Sequence, residues 1–145
     1  MAAPLDRLLQ YLPGAWSLAR TIEDDRLGKG RFDGKAVFTP NAESGWFCEE
    51  SGELAISTWR GGGYRRWLYR RDGDGLVILY PDGQALLHRF DFSSGAERAR
   101  HTHTCAQDRY HAVFTLCHNG GFTLNYGVVG PAKRYRLHTA YAPCG

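Results

Sequence analysis

From residue 14 onward the chain alternates between apolar and polar positions. Trp16, Leu18 and Ile22 are separated by Ser17, Ala19 and Thr21; Phe32, Ala36 and Phe38 alternate with Arg31, Lys35 and Val37, the last an imperfect member. Successive side chains leave a strand on opposite faces, so a period of two marks a half-buried strand. Further strands are predicted in "GWFCEESGEL", in "GYRRWLYRRDGDG", and on both sides of Pro81-Asp82-Gly83 in "LVILYPDGQALLHRFDF". There proline presets φ and glycine accepts a positive φ, which makes a hairpin turn. Residues 99–117 read as two strands around Gln107–Arg109, and residues 122–141 as two more around Gly130-Pro131. Ahead of them, Leu5, Leu8, Leu9 and Leu12 recur at helical spacing until Pro13-Gly14 stops the run. A helix of about three turns is too short to stand alone, so its leucine stripe has to cover something.

With no βαβ alternation, about ten short strands make an antiparallel meander, and closure into a barrel removes its exposed edges. The expected fold class is all-β: a single antiparallel up-and-down barrel with a short N-terminal helix, one domain over residues 1–145. In such a barrel the more apolar face of each strand points inward. That face is Tyr110, Ala112, Phe114 and Leu116 on the eighth strand, and Tyr135, Leu137, Thr139 and Tyr141 on the last. On the sixth it is Leu86, His88, Phe90 and Phe92, and in "HTHTC" it is His101, His103 and Cys105. Neighbouring strands in a meander would bring His88 beside His101 and His103. Arg20, in phase with Trp16, Leu18 and Ile22, points inward too or lies at the rim; inside, it pairs with an anionic ligand group or a carboxylate such as Glu50.

Composition changes this picture little. Eighteen basic residues against fifteen acidic ones leave a formal charge of +3, too even to imply a nucleic-acid or membrane partner. The basic stretch "YRRWLYRR" is split by the strand period: Arg65, Trp67 and Tyr69 fall on one face, and Tyr64, Arg66 and Leu68 on the other, so its arginines form no single patch. The four cysteines show no CxxC spacing, and Asp6 and Arg7 interrupt any signal-like apolar run. A cytoplasmic protein with reduced thiols is the default expectation. A homodimer is compatible with the sequence.

The ordered set "LPGAW", "PDGQALLHRFDF", "HTCAQDRY" and "GPAKRYRLHTAY" resembles the calycin superfamily, at its fatty-acid-binding-protein and nitrobindin end. It looks most like a family of small bacterial and fungal calycin-like proteins with no assigned function. The chain lacks the glycine-rich, proline-containing first strand of nitrobindin, so haem binding is not carried over with the resemblance. What the likeness implies is a barrel with an interior for a small molecule.

The residues themselves point the same way. Imidazoles, a thiol and phenols among apolar groups have the composition of a ligand cavity. The leading expectation is a small-molecule ligand, partly hydrophobic, bound by Arg20, His88, His101, His103, Cys105, Tyr110, Phe114 and Tyr135. The main rival is a cofactor-independent enzyme (a cyclase, isomerase or lyase) using interior histidines as general acid and base. Two further readings are kept. His-x-His places two imidazoles on one face, which with His88 or Cys105 could chelate zinc, and a single inward histidine among 88, 101 and 103 could ligate haem iron. No residue selects a cofactor, which stays unknown. Asp108 is read as capping the turn into the eighth strand, with an inward turn toward a histidine as the alternative.

Overall fold

The computed structural model describes residues 3–41 and 45–144. Among these, helix α1 (Pro4–Tyr11) precedes ten strands. The first five are β1 (Gly14–Asp24), β2 (Gly28–Asn41), β3 (Gly45–Ile56), β4 (Trp59–Asp72) and β5 (Gly75–Leu79). The rest are β6 (Leu86–Asp91), β7 (Arg98–Cys105), β8 (Asp108–Leu116), β9 (Phe122–Val129) and β10 (Arg134–Pro143). They pair antiparallel in the order β6-β5-β4-β3-β2-β1-β10-β9-β8-β7, so the chain runs up and down around a ring that β1 and β10 join. The barrel is nearly closed. β6 and β7, at the two ends of the row, share no backbone ladder, and the seam between them is bridged by side chains.

The alternation read from the sequence places the faces as expected on most strands. Trp16, Leu18 and Arg20 are buried on β1, Phe32, Ala36 and Phe38 on β2, and Thr139 and Tyr141 on β10, while Arg134, Arg136 and His138 face out. Two positions differ. On β6, Leu86 is 40% exposed and Leu87 is buried instead. The register shifts between Ile78↔His88 and Leu79↔Leu86, and the bulge turns Leu87 inward in place of Leu86. On β7, Cys105 is exposed rather than interior, because it pairs with Asp108 at the rim, where the hairpin closes over Ala106 and Gln107. Asp108 is therefore the first residue of β8; it meets Lys133 Nζ at 3.4 Å and does not orient a histidine.

One end of the barrel is filled. The leucines of α1 (Leu5, Leu8 and Leu9), with Leu12 after it, are buried, and Trp16 Nε1 donates to the Leu12 carbonyl at 2.8 Å, satisfying one of the helix's free acceptors. The helix is shorter than the three turns expected and stops before Pro13, which has no N–H to extend it. Above it Phe114 stacks on Phe122 at 4.9 Å, and Phe122 on Tyr141 at 4.4 Å, with Phe90, Phe38 and Trp16 around them. Phe114 thus belongs to this packed layer. Outside the barrel, Leu68 is buried with Val77 and Leu79 against Phe47.

Candidate ligand-binding site

The other half of the barrel is hollow. A cavity of about 200 Å³ is walled by Trp67, Tyr80, Tyr110, Tyr126 and Tyr135 with Leu87, Leu124, Val128 and Leu137, and reaches down to Glu50, Arg65, Tyr69, Ile78 and Tyr141. Tyr80, Tyr110 and Tyr135 lie where β5 ends and β8 and β10 begin, at the end away from α1. Of the residues singled out from the sequence, Tyr110 and Tyr135 line this space. Lys133 Nζ donates to the Tyr110 hydroxyl at 3.4 Å, which ties that ring to the Asp108 ion pair at the rim.

The charged floor follows from register. Arg20 on β1 pairs with Thr139 on β10 and Phe32 on β2, and Glu50 on β3 pairs with Arg65 on β4 and Ala36 on β2. The small Ala36 leaves room for Arg20 to reach across β2 to Glu50. Arg20 donates to Thr139 Oγ1 and to Glu50 Oε1, both at 2.8 Å, and its guanidinium lies over the Phe32 ring. Arg65 Nε donates to the same Glu50 oxygen at 3.0 Å, and the Tyr141 hydroxyl donates to the other. Burial pushes the Glu50 carboxyl up, but the guanidiniums of Arg65 and Arg20 more than offset it and hold it below the usual carboxylate range. Two guanidiniums against one carboxylate leave one positive charge. Arg20 is enclosed by these partners. Arg65 lines the cavity with 37% of its side chain open, so the surplus charge faces the hollow.

The histidines form a second network in the wall. His88 is fully buried. Its Nδ1 lies 2.9 Å from His101 Nδ1, across the seam, and its Nε2 lies 2.5 Å from the Tyr126 hydroxyl. His103 packs edge-on to His88 and against Tyr110. Ala112 makes this reach possible: it sits on β8 between Tyr126 on β9 and His101 on β7, and it is too small to separate them. Burial, then the nearby imidazoles of His101, His103 and His111, push His88 down to about 3. His101 is lowered as well, by burial, then by His103 and Arg89. The pair is neutral near pH 7, so each ring carries one N–H and one acceptor. None of the three histidines lines the cavity; Tyr126 stands between His88 and it.

This geometry bears on the metal and haem readings. Among the described residues no group of three His, Cys, Asp or Glu is placed to hold a metal ion. Both ring nitrogens of His88 are engaged, so that side chain does not fit an axial haem ligand. Cys48 is buried, and its thiol is pushed well up by burial and then by Glu50, which makes it inert.

Sequence reasoning missed Arg65, Trp67 and Tyr126 as lining residues. The signal was present: Arg65, Trp67 and Tyr69 alternate on one face, as do Phe122, Leu124, Tyr126 and Val128.

The model of a family of unknown function, DUF6314, matches residues 12–143, and the chain belongs to that family. No curated protein matches it. Among solved structures, the S-type phycobiliprotein lyase CPES from Guillardia theta is similar at a TM-score of 0.66 and 7% identity, over 97% of this chain and 93% of that one. A redesigned β-barrel, mFAP1, bound to DFHBI, is similar at a TM-score of 0.49 and 17% identity, over 94% and 99% of the two chains. The first likeness is one of fold alone.

Proposed function

We propose that this DUF6314 chain binds a small, partly aromatic molecule carrying an anionic group, held inside the barrel with the anion at Arg65. The observation that carries the reading is the surplus positive charge at the floor of an otherwise apolar and aromatic cavity. A guanidinium whose Nε is fixed by Glu50 is preorganised, and less of its freedom is lost when an anion arrives. Trp67, Tyr110 and Tyr135 enclose the body of the ligand, and Tyr126 offers a hydroxyl to a second polar atom. The solved neighbour from Guillardia theta is named a phycobiliprotein lyase, and it supports this reading to the extent that the same fold serves an activity in another chain.

Trp67 fluorescence provides the test, with trans-cinnamate as the anionic aromatic probe and trans-cinnamamide as its neutral counterpart. Cinnamate is expected to bind at least tenfold more tightly than the amide, and Arg65→Gln to abolish that preference while leaving amide binding within about threefold. A charged hydrogen bond of about 1.5–3 kcal/mol corresponds to such a factor. Equal affinities for both probes, or a preference that survives Arg65→Gln, would overturn the assignment of the anion to Arg65.

A further inference from the structure

The cavity touches water in two ways: directly at its mouth, and through a row of side chains in its wall. Tyr126 lines the cavity, its hydroxyl is 2.5 Å from His88 Nε2, and His88 Nδ1 is 2.9 Å from His101 Nδ1. His88 is fully buried and His101 is half-buried, on the strand across the seam. The row of donors and acceptors is continuous from a half-buried phenol on the cavity wall, through a fully buried imidazole, to a half-buried imidazole on the strand beyond. This row runs through the one place in the ring where β6 and β7 share no ladder.

We propose that Tyr126 is a proton donor to the bound ligand, that His88 and His101 conduct its replacement proton from water through the seam, and that the barrel thereby interconverts the keto and enol forms of an aromatic 2-oxo acid. The inference rests on the binding reading above, which supplies the aromatic enclosure and the anion site. The carbonyl group adds the one feature that a phenol donor next to a cation recognises.

The step balances. The C3–H bond of the ligand breaks, its proton passes to a water molecule, and its electron pair becomes the C=C bond of the enol. The carbonyl π pair takes the hydroxyl proton of Tyr126. The phenol oxygen takes the Nε2 proton of His88, His88 Nδ1 takes the Nδ1 proton of His101, and His101 Nε2 takes one from bulk water. Both imidazoles end neutral in the opposite tautomer, and no charge stays in the wall. The direction of the Tyr126 shift agrees: burial pushes the phenol well up, against the pull of Arg65, so it holds its proton until a developing oxyanion claims it. Arg65 has a second part here, because a cation near the developing enolate stabilises it.

Phenylpyruvate is the probe, with an aromatic body, a carboxylate and an enolisable carbonyl. Trp67 fluorescence reads its binding, and proton NMR in D₂O reads loss of the C3 protons. The native protein is expected to accelerate that exchange at least tenfold over buffer. Tyr126→Phe should remove the acceleration with affinity changed less than about threefold. His101→Ala should lower the rate at least fivefold, and added imidazole should restore most of it, which a merely structural role would not produce. Ala112→Val, which removes no relay group, should lower the rate by separating Tyr126 from His88. Binding without acceleration, or acceleration that survives Tyr126→Phe, overturns this inference and leaves the binding reading standing. Failure to bind phenylpyruvate, with cinnamate still bound, overturns this inference alone; failure to bind either overturns both.

Discussion

His88 is a titratable side chain placed where its charged form has no stabilising partner. Its neighbours are other imidazoles and a phenol, with Phe90 against its ring, and no carboxylate is among the groups acting on it. The consequence for stability has a definite sign. A folded value of about 3 lies below the unfolded value of about 6.5. Between them the unfolded chain binds the extra proton, so the contribution is complete above pH 6.5 and is lost as pH falls toward 3. For one group the slope is about 1.4 kcal/mol per pH unit. His88→Gln keeps a hydrogen-bonding amide but cannot titrate. Urea unfolding of the two proteins at pH 7, 6, 5 and 4 is expected to show the native protein losing stability faster by about that amount for each unit below 6.5. Parallel pH profiles would show that His88 is protonated without penalty. Glu50 acts lower on the scale, with the opposite charge type: its depressed value keeps its ion pairs intact until pH falls below the usual carboxylate range.

At the level of elements, the long strands β2 and β3 are where small residues matter. Gly34 and Gly52 are register partners, and a Cβ on Gly34 would lie 2.0 Å from the Ser51 carbonyl oxygen and 2.7 Å from the Gly52 Cα. Both obstacles are backbone, which cannot swing aside as a side chain tip can. Gly34→Ala is therefore expected to cost about 1–3 kcal/mol, as overpacking does. Gly62→Ala, where an added Cβ meets nothing within 4 Å, should stay within about 0.5 kcal/mol. Thermal or urea denaturation of the two variants decides it, and equal effects would mean that the strands separate without strain. Alanines do similar work inside the barrel. Ala36 opens the path from Arg20 to Glu50, and Ala112 opens the path from Tyr126 to His88, so each network depends on a side chain that is absent as much as on those present.

On the scale of the whole molecule, the ring is continuous everywhere except between β6 and β7. One edge of each of these strands has no ladder partner, and side-chain contacts hold the gap, among them His88 with His101 and Phe90 with His101. Among the described residues no ladder joins β6 to β7, so opening the barrel here breaks none, whereas opening elsewhere breaks a whole ladder. Hydrogen exchange read by mass spectrometry should find residues 86–91 and 98–105 exchanging at least tenfold faster than β2 and β3, each paired on both sides. Uniform protection around the ring would mean that the seam is as firm as a ladder. The two ends of the barrel also differ in kind. Aromatic stacking and the helix fill one, and tyrosines around a space surround the other, so the packed core and the open cavity lie at opposite ends.

Alternation along the chain was enough to number the strands and to turn His88, Tyr110 and Tyr135 inward, because the pleat is a property of each strand's own backbone, while it left Arg20 open between the interior and the rim. The turn at Pro81-Asp82-Gly83 was equally local: Gly83 N–H donates to the Tyr80 carbonyl at 2.9 Å, and Gly83 takes a φ of +75°. Period two says which wall a side chain leaves, and it is silent about height. Height along the barrel axis comes from the stagger of every strand against the next, a sum of registers around the ring. That sum put Phe114 in the packed layer, Arg65 at the floor of the hollow, Cys105 at the rim and His88 behind Tyr126. One bulge on β6 exchanged Leu86 for Leu87. Sequence determined inside and outside wherever the strand stayed regular, because there they are decided residue by residue; the bulge on β6 and the hairpin end of β7 are the exceptions. Only the assembled ring decided what meets inside, because that depends on pairings between strands far apart in the chain.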